Sequence, residues 1–182
     1  MTPVARLLSA LLALIAIALP AVAQTVPVQG NIMLVADRVY VTGEDTLTAE
    51  GNVEALMDDT RLLATRIDYD ARANTVTLTG PIRIVQGSET TIIADWAELD
   101  SEFRNGIMRS ARMVLNQQVQ LAANQLDRVD GRYNILTKAT ASSCRICNVN
   151  QPPLWQIRAR RVVHDQQERQ LYFDHAQLLI RD

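Results

Sequence analysis

Two histidines, two cysteines and an aromatic content of 4% leave this sequence few of the side chains that enzymes use for chemistry. The sequence also lacks a G-x-S-x-G nucleophile motif and a phosphate-binding loop. A net charge of −2 and a pI near 5.7 do not supply the basic excess that neutralisation of nucleic-acid phosphates requires. We therefore expect a protein that is not an enzyme, with no catalytic residues, no cofactor, no metal site and no nucleic-acid partner.

Long hydrophobic runs are absent except at the N-terminus. Arg6 precedes the apolar run 7–19, and residues 21–23 form an A-x-A cleavage site. This run is shorter than the roughly 20 residues of a membrane-spanning helix. We interpret residues 1–23 as a cleaved signal peptide rather than a transmembrane anchor. The expected mature chain begins at Gln24, which is not cysteine and so is not a lipoprotein anchor, and residues 24–182 form one exported domain.

Alanine recurs at a regular spacing along the remainder of the chain. Ala36, Ala64, Ala94, Ala123 and Ala159 each stand ahead of a polar residue and a short apolar run, with gaps of 28, 30, 29 and 36 residues. A second apolar run follows each of these segments, so one repeat reads as strand, turn, strand. Units of this length cannot bury an apolar face alone and must stack on their neighbours. The repeat predicts an elongated stack of antiparallel strands.

The apolar runs alternate with the two-residue period of β-strands, which gives each strand one apolar face. The candidate inward-facing residues of the first two clear runs are Leu47, Val53, Met57, Val76, Leu78, Ile82 and Ile84. A later run, with Tyr133, Ile135, Ala139 and Ala141, alternates less cleanly. No window beyond the N-terminus carries a helical stripe, so the sequence predicts an all-β domain.

The two cysteines, Cys144 and Cys147, form a C-x-x-C motif that has three interpretations. A redox pair needs a β-α-β setting, which is not visible here. A zinc site would have to recruit His164 and His175, which lie far along the chain and on separate predicted strands. Because an exported protein meets an oxidising compartment, disulfide bonding is favoured. The partner is either the neighbouring cysteine or one outside this chain.

Arginines cluster near the C-terminus, at Arg158, Arg160 and Arg161 with Arg169 and Arg181 nearby. The plainer interpretation is a solvated face of an arginine-rich strand. The sharper one is contact with phosphate-bearing ligands, because the guanidinium fork matches phosphate oxygens.

The repeat ADRVYV…LTAEGNVEAL…LLATRIDYD…VTLTGPIRIV resembles the OstA-type repeat of the lipopolysaccharide-transport proteins, the superfamily that includes LptA. The stretch YNILTKATASSC, followed by PPLWQIRARRVVHDQQERQLYFDHAQLLI, resembles the end of the N-terminal periplasmic domain in the LptD family of outer-membrane lipopolysaccharide-assembly proteins. The resemblance covers essentially the whole mature chain. Residues at the expected places are Trp155, Ala159, His164, Asp165, Glu168 and Ala176.

This resemblance implies an open, V-shaped β-jellyroll (β-taco) whose two sheets enclose an apolar groove, lined by the candidate residues named above. The acyl chains of lipid A would slide along the groove from a periplasmic bridge protein of the LptA type to the outer membrane. The bridge would dock by strand addition at an exposed sheet edge. Further partners implied are the C-terminal β-barrel and its plug lipoprotein. The implied location is the periplasm, at the inner side of the outer membrane.

Two departures from the family qualify the resemblance. In the family a large β-barrel follows almost directly after this segment, whereas the sequence stops at Asp182, so the barrel is expected to be absent. In relatives the cysteines of this domain pair with barrel cysteines. Here Cys144 matches the cysteine that follows a serine in the family (the SC position), and Cys147 is its close neighbour. The family's cysteine near the mature N-terminus is missing. The alternatives are a soluble bridge protein of the LptA type and a structural β-solenoid with a closed core.

Overall fold

The structure is a computed structural model that describes residues 32–143 and 153–181. The predicted signal peptide and both cysteines lie outside these residues. The strands are β1 Met33–Val35, β2 Arg38–Val41, β3 Thr46–Met57, β4 Thr60–Asp70, β5 Thr75–Gln86, β6 Thr90–Asp100, β7 Gly106–Leu115, β8 Val119–Val129, β9 Tyr133–Ser142, β10 Trp155–Asp165 and β11 Gln170–Ile180.

All eleven strands belong to one antiparallel sheet. From β3 to β11 each strand pairs with the next along the chain, and the short strands β1 and β2 share the free side of β3. The described residues contain no helix, so none of sufficient length and apolarity to span a membrane is found among them. The predicted all-β stack of strand–turn–strand repeats is confirmed.

The repeated alanines mark a line along which the sheet bends. Four of them are the fifth residue of their strands, β4, β6, β8 and β10: Ala64, Ala94, Ala123 and Ala159. The strand register shifts beside this line, as in the gap between the Glu50 and Val53 pairs of β3 and β4. An extra residue in one strand bends it and increases its twist. We call this line of alanines the crease.

The neighbouring odd-numbered strands cross the crease with unusual backbone. In β3, β7, β9 and β11 a residue at the crease has positive φ, namely Gly51 (77°), Ser110 (54°), Lys138 (53°) and His175 (51°). In β5 the crossing residue is Gly80, where an added Cβ would lie 2.5 Å from the carbonyl oxygen of Asp95. Only glycine fits that approach, because a Cβ essentially never comes so close to a backbone oxygen.

The bend folds the sheet over itself. We call the half that ends at turns 58–59, 87–89 and 116–118 the A half, and the half that ends at turns 71–74, 101–105, 130–132 and 166–169 the B half. Side chains join the far ends of the two halves: Arg128 of the B half donates to Gln86 of the A half at 3.0 Å, and the Arg169 guanidinium lies 3.2 Å from Glu89. The two predicted layers are therefore halves of one continuous sheet, and the core lies between them.

The crease also changes which residues of a strand point inward. In β4 the buried positions are Leu62 and Ala64 on one side of the crease and Ile67 on the other, so the two-residue period slips by one. The same slip occurs in β9, where Leu136 and Ala139 are both buried. Ala139 and Ala141 face inward as predicted. Tyr133 and Ile135 do not, because their inward neighbours are Asn134 and Leu136.

Candidate functional site

The candidate groove residues all point into the space between the A and B halves. Val53, Leu78, Ile82 and Ile84 are at most 2% exposed, and Val76 is 6% exposed. Leu47 and Met57 are only partly buried, because they lie at the two ends of β3. The structure thus brings together all seven residues, with their side chains in one shared interior.

Every described repeat contributes to this interior, so it forms one apolar cluster along the stack. The largest side chains with less than 2% exposure include Leu62, Met108, Met113, Leu126 and Leu136. Two methionines at its centre supply flexible side chains that fill irregular space. The crease side of the interior is narrow, since alanines line it. The opposite side, where the ends of the two halves meet, is the side at which the layers can part, and we call it the mouth.

The mouth has a polar rim around the apolar interior. From the A half, Thr60 and Thr90 are 7% exposed, and Gln86 accepts the bond from Arg128. A cavity of about 750 Å³ opens here, lined by Met57, Tyr69 and Phe103 together with Arg128 and several carboxylates. An apolar interior with a polar rim suits an amphipathic ligand better than a purely apolar one.

Arg128 is the most constrained charged residue of the rim. It is 4% exposed, and its Nε atom has no hydrogen-bond partner among the described residues. Burial lowers the pKa of its guanidinium, while the negative charges of Asp100 and Asp59 act in the opposite direction. A buried guanidinium with an unpaired donor costs free energy. That cost favours any movement of the mouth that gives Arg128 another acceptor.

A second polar group lies further along the rim. The Nδ2 atom of Asn134 is 3.3 Å from Nδ1 of His164, and the Oδ1 atom of Asn134 is buried without a partner in the described part of the chain. Burial lowers the pKa of His164, and the nearby Asp165 carboxylate raises it by less. A cavity of about 420 Å³, with Leu171 and Arg169 in its wall, adjoins this histidine.

Asp165 closes the turn between β10 and β11. Its carboxylate accepts hydrogen bonds from Arg132, the shortest at 2.6 Å, and from the backbone N–H groups of Gln167 and Glu168. The side-chain hydrogen bond from Arg132 is the largest cause of a lowered pKa at Asp165, and the same bond raises the pKa of Arg132. This pair fixes the rim beside His164 in place.

The interior is exposed at both ends of the stack. Paired residues in neighbouring strands point to the same face. Val39 and Val41 of β2 pair with the inward-facing Ala49 and Leu47, yet they are 49% and 73% exposed. At the other end, inward-facing residues of β11 are also uncovered: Leu178 and Ile180 are 62% and 73% exposed. The apolar face therefore continues to both end strands and is left without a cover there.

The described residues hold no group of three or more His, Cys, Asp or Glu side chains arranged to bind a metal ion. His164 is buried at the mouth, whereas the side chain of His175 is 63% exposed and bonds Asp174 at 2.7 Å. The two histidines therefore do not form a common site. Cys144 and Cys147 lie outside the described residues, and their role stays a prediction.

The rim residues Gln86, Arg128 and Asn134 were not anticipated from the sequence. A signal for Arg128 was present. Once the period slips by one after Ala123, the inward positions of β8 become Leu126 and Arg128. No comparable local signal marks Gln86, because its partner Arg128 is 42 residues away in the chain.

The chain is similar to LPS-assembly protein LptD from three Burkholderia species. It is 26% identical to the protein of Burkholderia cenocepacia (strain HI2424), 28% identical to that of Burkholderia lata and 24% identical to that of Burkholderia ambifaria. In each case the match extends over 133 residues, which is 72% of this chain. The chain matches a segment of LptD. The resemblance to LptD noted in the sequence is confirmed. The matched segment spans 16% of the length of these LptD proteins.

No protein-family model matches the chain. Among solved structures, it is similar to LptH, the LptA-homologous periplasmic component of the lipopolysaccharide transport device of Pseudomonas aeruginosa. The alignment covers 84% of this chain and 96% of LptH, with 11% identity and a TM-score of 0.34.

Proposed function

We propose that this chain is a non-enzymatic module of lipopolysaccharide transport, which passes the acyl chains of lipid A along its apolar interior toward the outer membrane. The observation that carries the proposal is the apolar face that runs through every described repeat and stays uncovered at β2 and β11. The apolar interior of a conduit has to continue into a partner at each end, whereas a closed stack has to cover its two terminal apolar layers. The similarity to proteins named LPS-assembly protein supplies the cargo.

Passage of a lipid requires the two halves to separate, because the interior side chains are almost fully buried. The crease resists separation, since backbone pairing between neighbouring strands resumes directly on either side of it. The described contacts across the mouth are two side-chain pairs, Arg128 with Gln86 and Arg169 with Glu89. The Arg169–Glu89 ion pair is exposed and contributes roughly 0–1 kcal/mol, and the Arg128–Gln86 hydrogen bond, from a charged donor, contributes about 1.5–3 kcal/mol. The mouth is therefore where the layers part to admit acyl chains, with the polar rim facing the headgroup.

Among the described residues each end strand leaves one backbone edge unpaired, and these edges support a proposal for the partners. An unpaired edge strand is a template for addition of another strand. We propose that one edge receives a periplasmic bridge protein of the LptA type and that the other is followed by the barrel and its plug lipoprotein in a full-length protein. We propose that the module works in the periplasm, at the inner side of the outer membrane. If both edges instead take bridge proteins, the chain is itself a soluble bridge.

A second candidate function is favoured by the same burial values. Side chains such as Leu78 and Leu136, at 0% exposure, are what a purely structural β-stack with a closed core would show. The two candidates differ in whether lipid ever reaches these residues, and a crosslinker placed among them decides between them.

The test replaces Ile82 with a photoreactive amino acid and irradiates the chain in cells that make lipopolysaccharide. The matched control carries the same group at Arg83, the next residue of β5, which is exposed on the outer face. We expect lipopolysaccharide adducts at position 82 and none above background at position 83. Equal labelling at both positions, or none at position 82 in a folded protein, contradicts the conduit.

A further inference from the structure

The charges of the chain are unevenly distributed along the stack. Residues 32–100 carry thirteen Asp or Glu and five Arg, whereas residues 101–143 and 153–181 together carry six Asp or Glu and eleven Lys or Arg. The small net charge of −2 therefore hides an acidic N-terminal part, residues 32–100, and a basic C-terminal part. Such an asymmetry is a physical property of surfaces that meet partners of the opposite charge.

The structure sorts the C-terminal arginines into two kinds. Arg161 lies 3.5 Å from Asp174, and Arg169 lies 3.2 Å from Glu89, so both have carboxylate partners. Arg158, Arg160 and Arg181 are exposed and form no ion pair with any described residue. The first kind is explained by contacts within the chain, and the second is not.

The unpaired cations lie together on the outer face of the A half. Arg83, Arg112 and Arg158 belong to one cross-strand row, Arg83–Ile93–Arg112–Ala122–Thr140–Arg158, which runs over β5 to β10. Lys138 and Arg160 lie opposite each other at the crease, between the pairs Ala139–Ala159 and Thr137–Arg161. We call Arg83, Arg112, Lys138, Arg158, Arg160 and Arg181 the basic face.

One carboxylate, Asp95, shares a surface cavity with Arg112, and the strand segments nearer the other cations carry none. The A-half segments 110–115, 119–124, 138–142, 155–160 and 175–180 contain no Asp or Glu. Like charges directly opposite each other on neighbouring strands destabilise a sheet. Lys138 and Arg160 occupy facing positions between two paired residues, so two positive charges stand in neighbouring strands there. Exposed leucines border the face, with Leu154 at 71% and Leu179 at 37% exposure.

We propose that the basic face lies against an anionic phospholipid surface. A flat bilayer meets only the face that it lies against, whereas a flexible polyanion would also meet the carboxylates on the other faces of the chain. The cations stand on the outer face rather than on the β11 edge, so a second chain added at that edge would leave them uncovered. Basic groups near an anionic bilayer and apolar side chains at its interface both favour adsorption.

The test measures binding of the exported, purified chain to vesicles in which about one lipid in three is phosphatidylglycerol, at about 0.1 M salt. Pure phosphatidylcholine vesicles give the baseline for apolar adsorption. The patch variant combines Arg112→Gln, Arg158→Gln and Arg160→Gln. The control variant combines Arg38→Gln, Arg61→Gln and Arg72→Gln, which changes the net charge equally but at arginines that are ion-paired to Glu50, Glu54 and Asp45 within residues 32–100. Thermal unfolding verifies that both variants are folded.

We expect the patch variant to bind about a hundredfold more weakly than the unchanged chain, because each basic group near the surface contributes roughly fivefold. The control variant should stay within about threefold, and Arg158→Lys with Arg160→Lys should retain binding, since a surface charge and not a guanidinium fork is needed. No preference of the unchanged chain for anionic vesicles overturns the proposal and leaves a protein as the occupant. Equal losses in the two Gln variants, or loss in the Lys variant, overturn it as well.

Discussion

Replacing Ile82 with aspartate introduces a charge at the centre of the interior. Ile82 is 1% exposed and pairs with Ala94 at the crease, where the surrounding side chains cannot retreat to admit water. Loss of the buried Ile side chain costs about 2 kcal/mol. A carboxyl that stays neutral with a pKa raised about three units costs roughly 4 kcal/mol more at pH 7.

The sum of about 6 kcal/mol is comparable with the whole stability of an ordinary domain, which is roughly 5–15 kcal/mol. With a urea dependence of about 2 kcal/mol per molar, the unfolding midpoint of Ile82→Asp should fall by about 3 M. Two controls separate the causes. Ile82→Val keeps the residue apolar and should cost roughly 1 kcal/mol. Arg83→Asp places the same carboxylate on the outer face and should change stability by about 0.5 kcal/mol or less.

The assay is equilibrium urea unfolding of the four proteins, followed by circular dichroism of the sheet. The acidic variant should also recover part of its lost stability as the pH is lowered toward 4, because its carboxyl is then neutral in the unfolded state too. A midpoint for Ile82→Asp within about 0.5 M of that for Arg83→Asp would show that position 82 does not face a dry interior. The assignment of the whole candidate groove would then be wrong.

Three further predictions concern the crease, the rim and the cysteines. Ala94→Leu, at a position 1% exposed, should destabilise the chain by about 1–3 kcal/mol in thermal unfolding, whereas Ala122→Leu on the outer face should not. Burial lowers the pKa of His164 in the folded state, so the folded protein favours the neutral imidazole. Stability should therefore be highest above about pH 6.5 and should fall as the pH drops below that value. His164→Gln should flatten this part of the stability curve. Thiol trapping should find Cys144 and Cys147 free, bonded to each other or linking two copies, and stoichiometric zinc in the purified protein would contradict a tethering role.

The strands whose inward residues could be predicted are those that keep their phase across the crease. β3 and β5 cross it at Gly51 and Gly80, and their buried positions remain two residues apart from end to end. Hence Val53 and Ile82 were assigned correctly from alternation alone. In β4 the phase slips after Ala64, because β4 crosses the crease in three residue steps, from Leu63 to Arg66, where β5 takes four, from Arg83 to Thr79.

The polar rim could not be predicted, since it depends on contacts between distant parts of the chain. Folding at the crease brings Arg128 to Gln86, and no local pattern encodes that approach. The arginine cluster shows the same limit. Its members look alike in sequence, and only the strand register separates Arg161, which meets Asp174, from Arg158, which meets Thr140 and Gln177. The repeat length predicts the stack, but the register decides what each charge can do.

The two ends of the stack distinguish a conduit from a closed core more directly than the burial of its middle. A self-contained repeat protein needs terminal repeats with a polar outer face, because its last apolar layer otherwise meets water. Here Val41 at one end and Ile180 at the other are each 73% exposed on the inward side of the sheet. Within residues 32–143 and 153–181, both end strands also leave one backbone edge unpaired. An added strand at either edge would hydrogen-bond to the unpaired backbone and would extend the same apolar face. A single docking event would therefore pair the edge and cover the exposed apolar side chains. That coincidence supports the proposal that the module docks partners in line at its two edges.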